Sequence, residues 1–331
     1  MRRVLSHLAW QRFGLALLLL AAGSIPAFAS DFQLFRLTAI LVYAIALLGL
    51  NILTGYNGQI SLGHGAFYSA GAYVAALIMA NSTLPHWLAL PVAGGICLAA
   101  GCLFAWPLVR LPNVQFALVT FALAVTAPQL ANYKGIARWT GGSQGLGLDK
   151  PQVPFDLPLS YDQWIYLLTL LVLVVLLAAA ANLLSGRIGR ALMAIRDHPV
   201  AAEVAGIRIV SFKTLAFGVS AMVTGVAGAL SAMALLYAAP AGVFLSLSFL
   251  IGSAVGGIAS LSGAIYGALF LQLILMLTGF IARAAETSAV LAVYGVVVIA
   301  FLHFLPAGVA GGVASLAAWA RGRLRRLDGA T

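Results

Sequence analysis

The chain has 331 residues, of which 63% are apolar and 8% charged, against about 25% charged in ordinary soluble domains, so it is built for lipid. Strands spanning a bilayer would read as segments of roughly ten residues alternating apolar and polar, and no such alternation is present. The net charge of +10 lies in short segments between apolar runs and not on one soluble face, which excludes a nucleic-acid surface and leaves a topology signal.

Runs approaching the roughly 20 residues needed to cross a bilayer predict an all-α, polytopic integral membrane protein. It would have about ten transmembrane helices in one domain over residues 1–331, at 13–29, 33–53, 66–80, 88–109, 114–131, 164–184, 214–236, 246–260, 263–281 and 288–305. The first run has two readings. Arg2 and Arg3, the stretch from Phe13 to Gly23 and the sequence Ala27, Phe28, Ala29 suit either a cleavable signal peptide or a retained helix. With the N-terminus in the cytoplasm, thirteen of the eighteen Lys and Arg fall inside and only Arg36, Lys134, Arg138, Lys150 and Arg283 fall outside. Positive charge stays inside, which puts both termini and a basic tail over 319–331 in the cytoplasm. Trp87 and Trp164 sit at span ends, where amphipathic rings suit the headgroups.

Between the second and third runs lies GYNGQISLGHG, residues 55–65. Non-helical backbone at membrane depth is tolerated only inside protein or against a water-filled cavity, and Gly55, Gly58, Gly63 and Gly65 permit a break in the helix. The segment is therefore expected to be discontinuous or re-entrant. Its polar side chains, Asn57, Gln59, Ser61 and His64, read in two ways. With Gly58, Gly63 and Gly65 they line or gate a substrate path, as at the broken helices of transporters. Alternatively the segment is a tight turn in which Ser61, Gly65 and Ser69 give small-residue packing and His64 is a structural histidine. Either way, a side chain added at Gly63 is expected to be worse than alanine at Tyr68 or Ser69.

Further along, Cys97 and Cys102 are too far apart on one helix for a disulfide and suggest no metal ligand. Small residues at four-residue spacing, in the sets Ala221, Gly225, Ala229, then Gly252, Gly256, then Gly263, Gly267, predict close helix packing, including against a second membrane subunit. Gln129 and Gln272 are expected to bond between helices. Two connections exceed plain turns. Residues 132–163 form an external loop rich in Gly, Pro and Asp. Residues 185–213 form a cytoplasmic segment that reads as helix and then turn, with a short helix through Ala201, Ala202, Val204 and Ala205 ended by Gly206.

Catalytic motifs are missing: there is no G-x-x-x-x-G-K-[ST] phosphate loop, no H-E-x-x-H, no C-x-x-C and no G-x-S-x-G. The chain is expected to be no enzyme, with no cofactor of its own, so that any energy from ATP comes through another chain. Carboxylates are almost absent from the spans, which counts against an ion-coupled secondary amino acid transporter, the alternative from another class.

Four stretches resemble the membrane subunits of branched-chain amino acid ABC importers of the M-type (LivM-type): GYNGQISLGHGAFYSAGAY, RLPNVQFALVTFALA at 110–124, TGGSQGL at 140–146, and GRIGRALMAIRDHPVAAEVAGIRIVSFKTLAFGVSAMVTGVAGAL at 186–230. The resemblance covers nearly the whole chain in the family's order. It implies a multi-spanning permease in a bacterial inner membrane, paired with a second related permease, two cytoplasmic ATP-binding subunits and an external solute-binding protein. It also places the ATPase-coupling loop at 185–213, with Ala201, Ala202, Glu203 and Gly206 at the matching positions; Arg196 beside them could pair with acidic residues of the partner. Two departures stand out: GGIASLSGAIYGA at 256–268 lacks the family's proline, and FLPAG at 304–308 replaces the more usual FLPRG. They leave a urea or short-amide importer as the alternative within the class.

Overall fold

The computed structural model describes residues 21–82, 84–154, 158–282, 287–305, 308–313 and 315. Residues 13–20 of the first expected span, the basic tail and Arg283 lie outside them. The helices are α1 (Asp31–Asn51), α2 (His64–Asn81), α3 (Ala89–Leu108), α4 (Asn113–Ala131), a short α5 (Lys134–Thr140), α6 (Tyr161–Ser185), α7 (Arg187–Asp197), α8 (Pro199–Val204), α9 (Ile209–Leu235), α10 (Val243–Gly256), α11 (Leu261–Ala282) and α12 (Thr287–Phe304). Among the described residues, six helices are long and apolar enough to cross a membrane: Asp31–Tyr56, His86–Leu108, Asn113–Ala131, Tyr161–Ser185, Ile209–Leu235 and Leu261–Gly279.

The expected spans at 66–80 and 246–260 fall on shorter or more polar helices for a local reason. Helix α2 has 18 residues and contains the whole of 66–80, but His64, Tyr68, Ser69, Tyr73 and Asn81 make it more polar than the six long helices above. Helix α10 has 14 residues, which at 1.5 Å per residue is about 21 Å, short of the roughly 30 Å hydrocarbon layer. It stops at Gly257, whose φ of +120° no helix accommodates.

Two helix starts are fixed by the same device. Ser30 and Gln33 cap α1 and Ser160 and Gln163 cap α6, each serine accepting from the backbone N–H three residues on while the glutamine side chain accepts from the serine N–H. The caps meet, since Ser160 Oγ donates to Asp31 Oδ1 at 3.0 Å.

Helix α9 is the centre of the bundle, packed on α1, α2 and α3. In α9, 78% of the most apolar stretch is buried, against 22% in α4 and in α6. The small residues along α9 make this possible: Gly225 and Gly71 lie backbone to backbone, an approach that larger side chains would prevent. Burial of Leu47, Leu48 and Phe249 against Leu230 and its neighbours on α9 draws on apolar contacts at about 25 cal/mol per Å². On α6, Leu171 and Val175 point outward, an apolar face suited to lipid. Gln129 is exposed on α4 and bridges to no other helix among the described residues, because α4 packs by one side only.

The connections gather at two ends of the bundle. At one end, Leu146–Gly147 (β1) pairs antiparallel with Tyr237–Ala238 (β2), and Trp164 Nε1 donates to His86 Nε2 at 2.8 Å; Trp164 is thus tied into the protein and is not only a headgroup anchor. This two-residue pair is the one departure from all-α structure among the described residues. The other end holds the break before α2, the break between α10 and α11, and the α7–α8 hairpin.

Candidate functional site at two helix breaks

Helix α1 widens into a π-helical turn over Ile52–Tyr56, and regular structure then lapses until His64. The polar side chains of this stretch are buried: Asn57, Gln59, Ser61 and His64 are each no more than 2% exposed. Neighbouring helices supply the partners that the irregular backbone lacks. Leu62 N–H donates to Thr120 Oγ1 on α4 at 3.0 Å, and Gly65 N–H donates to Ser246 Oγ on α10 at 2.9 Å. His64 lies between Ser61 Oγ, 2.9 Å from Nδ1, and Ser220 Oγ on α9, 2.6 Å from Nε2.

The glycines act through contact and backbone angle. A Cβ at Gly63 would lie 2.8 Å from the Thr120 carbonyl oxygen, and one at Gly65 would lie 2.5 Å from Ser246 Oγ. Gly58 has a φ of +72°, in the left-handed region that glycine enters freely. The stretch is a packed knot in this structure, with its polar groups turned inward.

A second break, Gly257 to Ser260, joins α10 to α11 and packs on the first. Asn51 sits at the end of α1, 1% exposed, and uses both ends of its amide. Its Nδ2 donates to Ser260 O at 2.6 Å and Gly257 O at 3.3 Å, while Oδ1 accepts from Ala259 N–H at 2.8 Å. That grip holds Ala259 at a φ of +63°, a conformation unfavourable for a residue with a Cβ. Gly55 lies directly against Ala259 N. Buried polar atoms nearly always find partners, yet Thr54 Oγ1, Asn57 Oδ1 and Gln59 Nε2 have none, and all three belong to the first break.

The α7–α8 hairpin closes this end. Arg196, near the end of α7, donates from Nη1 to the Gly55 carbonyl at 2.7 Å, and its Nε pairs with Asp197 at 2.9 Å. Helix α8 ends in a Schellman motif: Ile207 N–H donates to Ala202 O at 3.0 Å and Gly206 N–H to Glu203 O at 2.9 Å, with Gly206 at a φ of +83°. Ala201 and Glu203 are exposed, but Ala202 is buried at 4%, facing the chain and not outward. The apolar groups that α8 presents are Val200 and Val204, 75% and 86% exposed.

Residues 33–302 match the family described as "Branched-chain amino acid transport system / permease component". The chain belongs to this family. Among curated relatives, the high-affinity branched-chain amino acid transport system permease protein LivM of Salmonella typhimurium (strain LT2) and that of Escherichia coli (strain K12) are each 32% identical over 288 residues, covering 79% of this chain and 67% of the relative. No solved structure gives a significant match. The chain is accordingly a multi-pass membrane permease subunit of the importer class.

Several residues that build the site in this permease are not apparent from composition. Asn51, Thr120, Ser220 and Ser246 stand among scattered Ser and Thr in runs that otherwise read as membrane filler. A polar side chain in lipid must find a partner, but nothing in these runs marks which of the scattered polar residues does so across helices. Val200 and Val204 were hidden in the same way, as apolar residues in an apolar chain.

Proposed function

We propose that this permease provides half of the translocation pathway of an ATP-driven importer for branched-chain or related apolar amino acids in a bacterial inner membrane. It works as a heterodimer with a second related permease, two cytoplasmic ATP-binding subunits and an external solute-binding protein, and both of its termini lie in the cytoplasm. ATP is bound and hydrolysed in the partner subunits, and no cofactor is needed in this chain. The amino acid is suggested by the naming of the family and of the relatives. The stretch holding Asn57, Gln59, Ser61 and His64, with Gly58, Gly63 and Gly65, acts as a gate and not as a lining, because its polar groups are buried among helices. The α7–α8 hairpin receives the ATPase stroke through Ala201, Glu203 and Gly206, while Ala202 anchors the hairpin to the bundle and Arg196 is engaged within the chain, by Gly55 and Asp197.

The observation that best supports this reading is the pair Val200 and Val204, two apolar side chains four residues apart on a short exposed helix, at the same end as the helix breaks. Apolar groups on a helix terminus outside the membrane call for a protein partner. The test is purification of the native complex followed by reconstitution in liposomes. ATP-binding subunits should copurify, and leucine uptake should require ATP and the binding protein. Uptake by the isolated chain driven by an ion gradient alone would overturn the proposal.

A further inference from the structure

We infer that Arg196 is the positioning residue that carries movement of the α7–α8 hairpin into both helix breaks. The inference rests on the reading of that hairpin as the receiver of the ATPase stroke.

Arg196 is held from two sides. Its Nε is paired with Asp197 on its own helix, and its Nη1 donates to the Gly55 carbonyl, in the π-helical turn where regular helical pairing is disturbed. The stem of the side chain runs under Gly58: a Cβ on Gly58 would come within 2.7 Å of Arg196 Cγ. The guanidinium fork allows this double engagement, because its donors leave in fixed and separate directions. A shift of α7 is therefore felt first at Gly55.

From Gly55 the contact continues. Its backbone rests on Ala259 N, and Asn51, one turn earlier on the same face of the helix, holds Gly257, Ala259 and Ser260. Gly308, at a φ of +71°, closes against Gly257 from the far side: its Cβ position is 2.7 Å from Gly257 Cα. Displacing the Gly55 carbonyl thus pulls on the joint between α10 and α11 as well as on the joint between α1 and α2.

Transmission needs an element with two arrangements and not merely a chain of contacts. The first break supplies a reason for two. Thr54 Oγ1, Asn57 Oδ1 and Gln59 Nε2 are buried without partners in the present arrangement, so a rearranged segment has pairing still to gain. Loss of the Arg196 bond to Gly55 frees a carbonyl that the Thr54 hydroxyl or the Gln59 amide could satisfy.

The experiment uses the full complex reconstituted with its ATP-binding subunits and binding protein, comparing wild type with Arg196→Met, which keeps the apolar stem and removes the donors. Two quantities are read: amino acid imported per ATP hydrolysed, and the separation of spin labels at Ile60→Cys and Ile258→Cys. These are exposed positions on the two breaks, labelled in a background with Cys97→Ala and Cys102→Ala. Arg196→Met should retain its ATP-binding subunits and hydrolyse ATP, while import per ATP falls about tenfold or more, within the range of ordinary coupling between sites. The label separation should change on nucleotide trapping in wild type and stay fixed in the variant. Wild-type import per ATP, an unchanged nucleotide-dependent shift, or loss of the ATP-binding subunits from Arg196→Met would each overturn the inference. Should the Arg196→Met chain itself not reach the membrane folded, Arg196→Lys, a point charge without the fork, is read by the same two measurements. A wild-type preparation without ATP-binding subunits would instead overturn the importer reading itself, before any variant is made.

Discussion

The imidazole of His64 and the hydroxyl of Ser220 lie 2.6 Å apart, and the Ser220 hydroxyl donates onward to the Gly49 carbonyl at 2.6 Å. Those two contacts fix the direction of the whole chain. Ser220 has spent its proton on Gly49, so it accepts from His64 Nε2–H, and Nδ1 must then accept from the Ser61 hydroxyl 2.9 Å away. Helices α1, α2 and α9 are joined by one set of hydrogen bonds running one way. His64→Phe would leave the Ser61 donor buried without an acceptor, a loss of about 1–3 kcal/mol.

Because the bonds act as a unit, His64→Phe and Ser220→Ala should not be additive. A double-mutant cycle on thermal or denaturant stability of the purified chain should give a coupling energy of about 0.5–3 kcal/mol. Simple additivity would show that the imidazole and the hydroxyl are neighbours without a shared bond.

At Gly63 the neighbouring atom is a carbonyl oxygen of the α4 backbone, 2.8 Å from where an added Cβ would sit, and it cannot rotate away as a side chain could. Gly63→Val should lower both the amount of chain in the membrane and uptake, whereas Ser69→Ala, which removes a local bond to the Ala66 carbonyl, should be mild. Tyr68→Ala, expected from the sequence to be milder than a side chain at Gly63, still removes a large buried ring. The ring is buried at 8% and meets Phe249 edge-on with centroids 5.4 Å apart, so its loss should cost about 3–5 kcal/mol, as for other large-to-small core changes. Membrane level and melting temperature of the three variants check the order.

Six of the expected spans were legible because each needs only a long apolar run, and the break at 55–65 was legible because four glycines and four polar residues interrupt one. The second break was legible only as a boundary between the expected spans at 246–260 and 263–281; that it begins at Gly257 was not, since Gly257 to Ser260 carries no polar cluster and depends on Asn51, some two hundred residues earlier, for its hydrogen bonds. The hairpin was half legible. Gly206 advertises a helix end by its type, but which alanine faces the bundle depends on how α8 docks, and three-dimensional packing reverses the reading of Ala202. The grip of Arg196 on Gly55 joins two motifs recognisable separately; nothing in their spacing says that they touch.

On the opposite end, the loop carrying TGGSQGL is shaped and not slack. Leu146 pairs with Ala238, Leu148 N–H donates to Leu236 O at 2.9 Å, and the Tyr237 hydroxyl donates to the Gln144 carbonyl, leaving Ser143 and Gln144 exposed. Replacing residues 140–147 by a Gly/Ser linker should abolish stimulation of ATP hydrolysis by the binding protein and spare basal hydrolysis in the reconstituted complex. Tyr237→Phe, which removes one tie, should speed amide hydrogen exchange over the same loop. Unchanged stimulation in the linker variant would rule out a docking role for the loop.

The two outward valines and the inward alanine of α8 should respond differently. Val200→Asp and Val204→Asp put charge on side chains exposed to solvent, so the chain should fold and insert as wild type while copurification of ATP-binding subunits falls. Ala202→Trp forces a large ring into a packed position and should reduce the amount of folded chain, an overpacking cost of about 1–3 kcal/mol or more. Quantifying the membrane level beside the copurified ATPase separates the two effects; full ATPase recovery with both aspartates would remove α8 from the interface.

Gly206 separates strain from obstruction. Its φ of +83° disfavours any side chain, by about 1–2 kcal/mol for a residue in the left-handed region, yet an added Cβ would meet nothing within 4 Å. Alanine and tryptophan therefore incur the same backbone penalty, while only tryptophan adds bulk in the space just beyond α8, where a partner groove would close around it. Gly206→Ala should lower the melting temperature slightly and keep ATP-driven uptake close to wild type. Gly206→Trp should show a similar melting temperature but lose ATP-binding subunits, or hydrolyse ATP without moving substrate. Equal loss of uptake in both variants would assign the effect to the helix end itself, and full uptake in both would mean that no partner approaches the hairpin from this side.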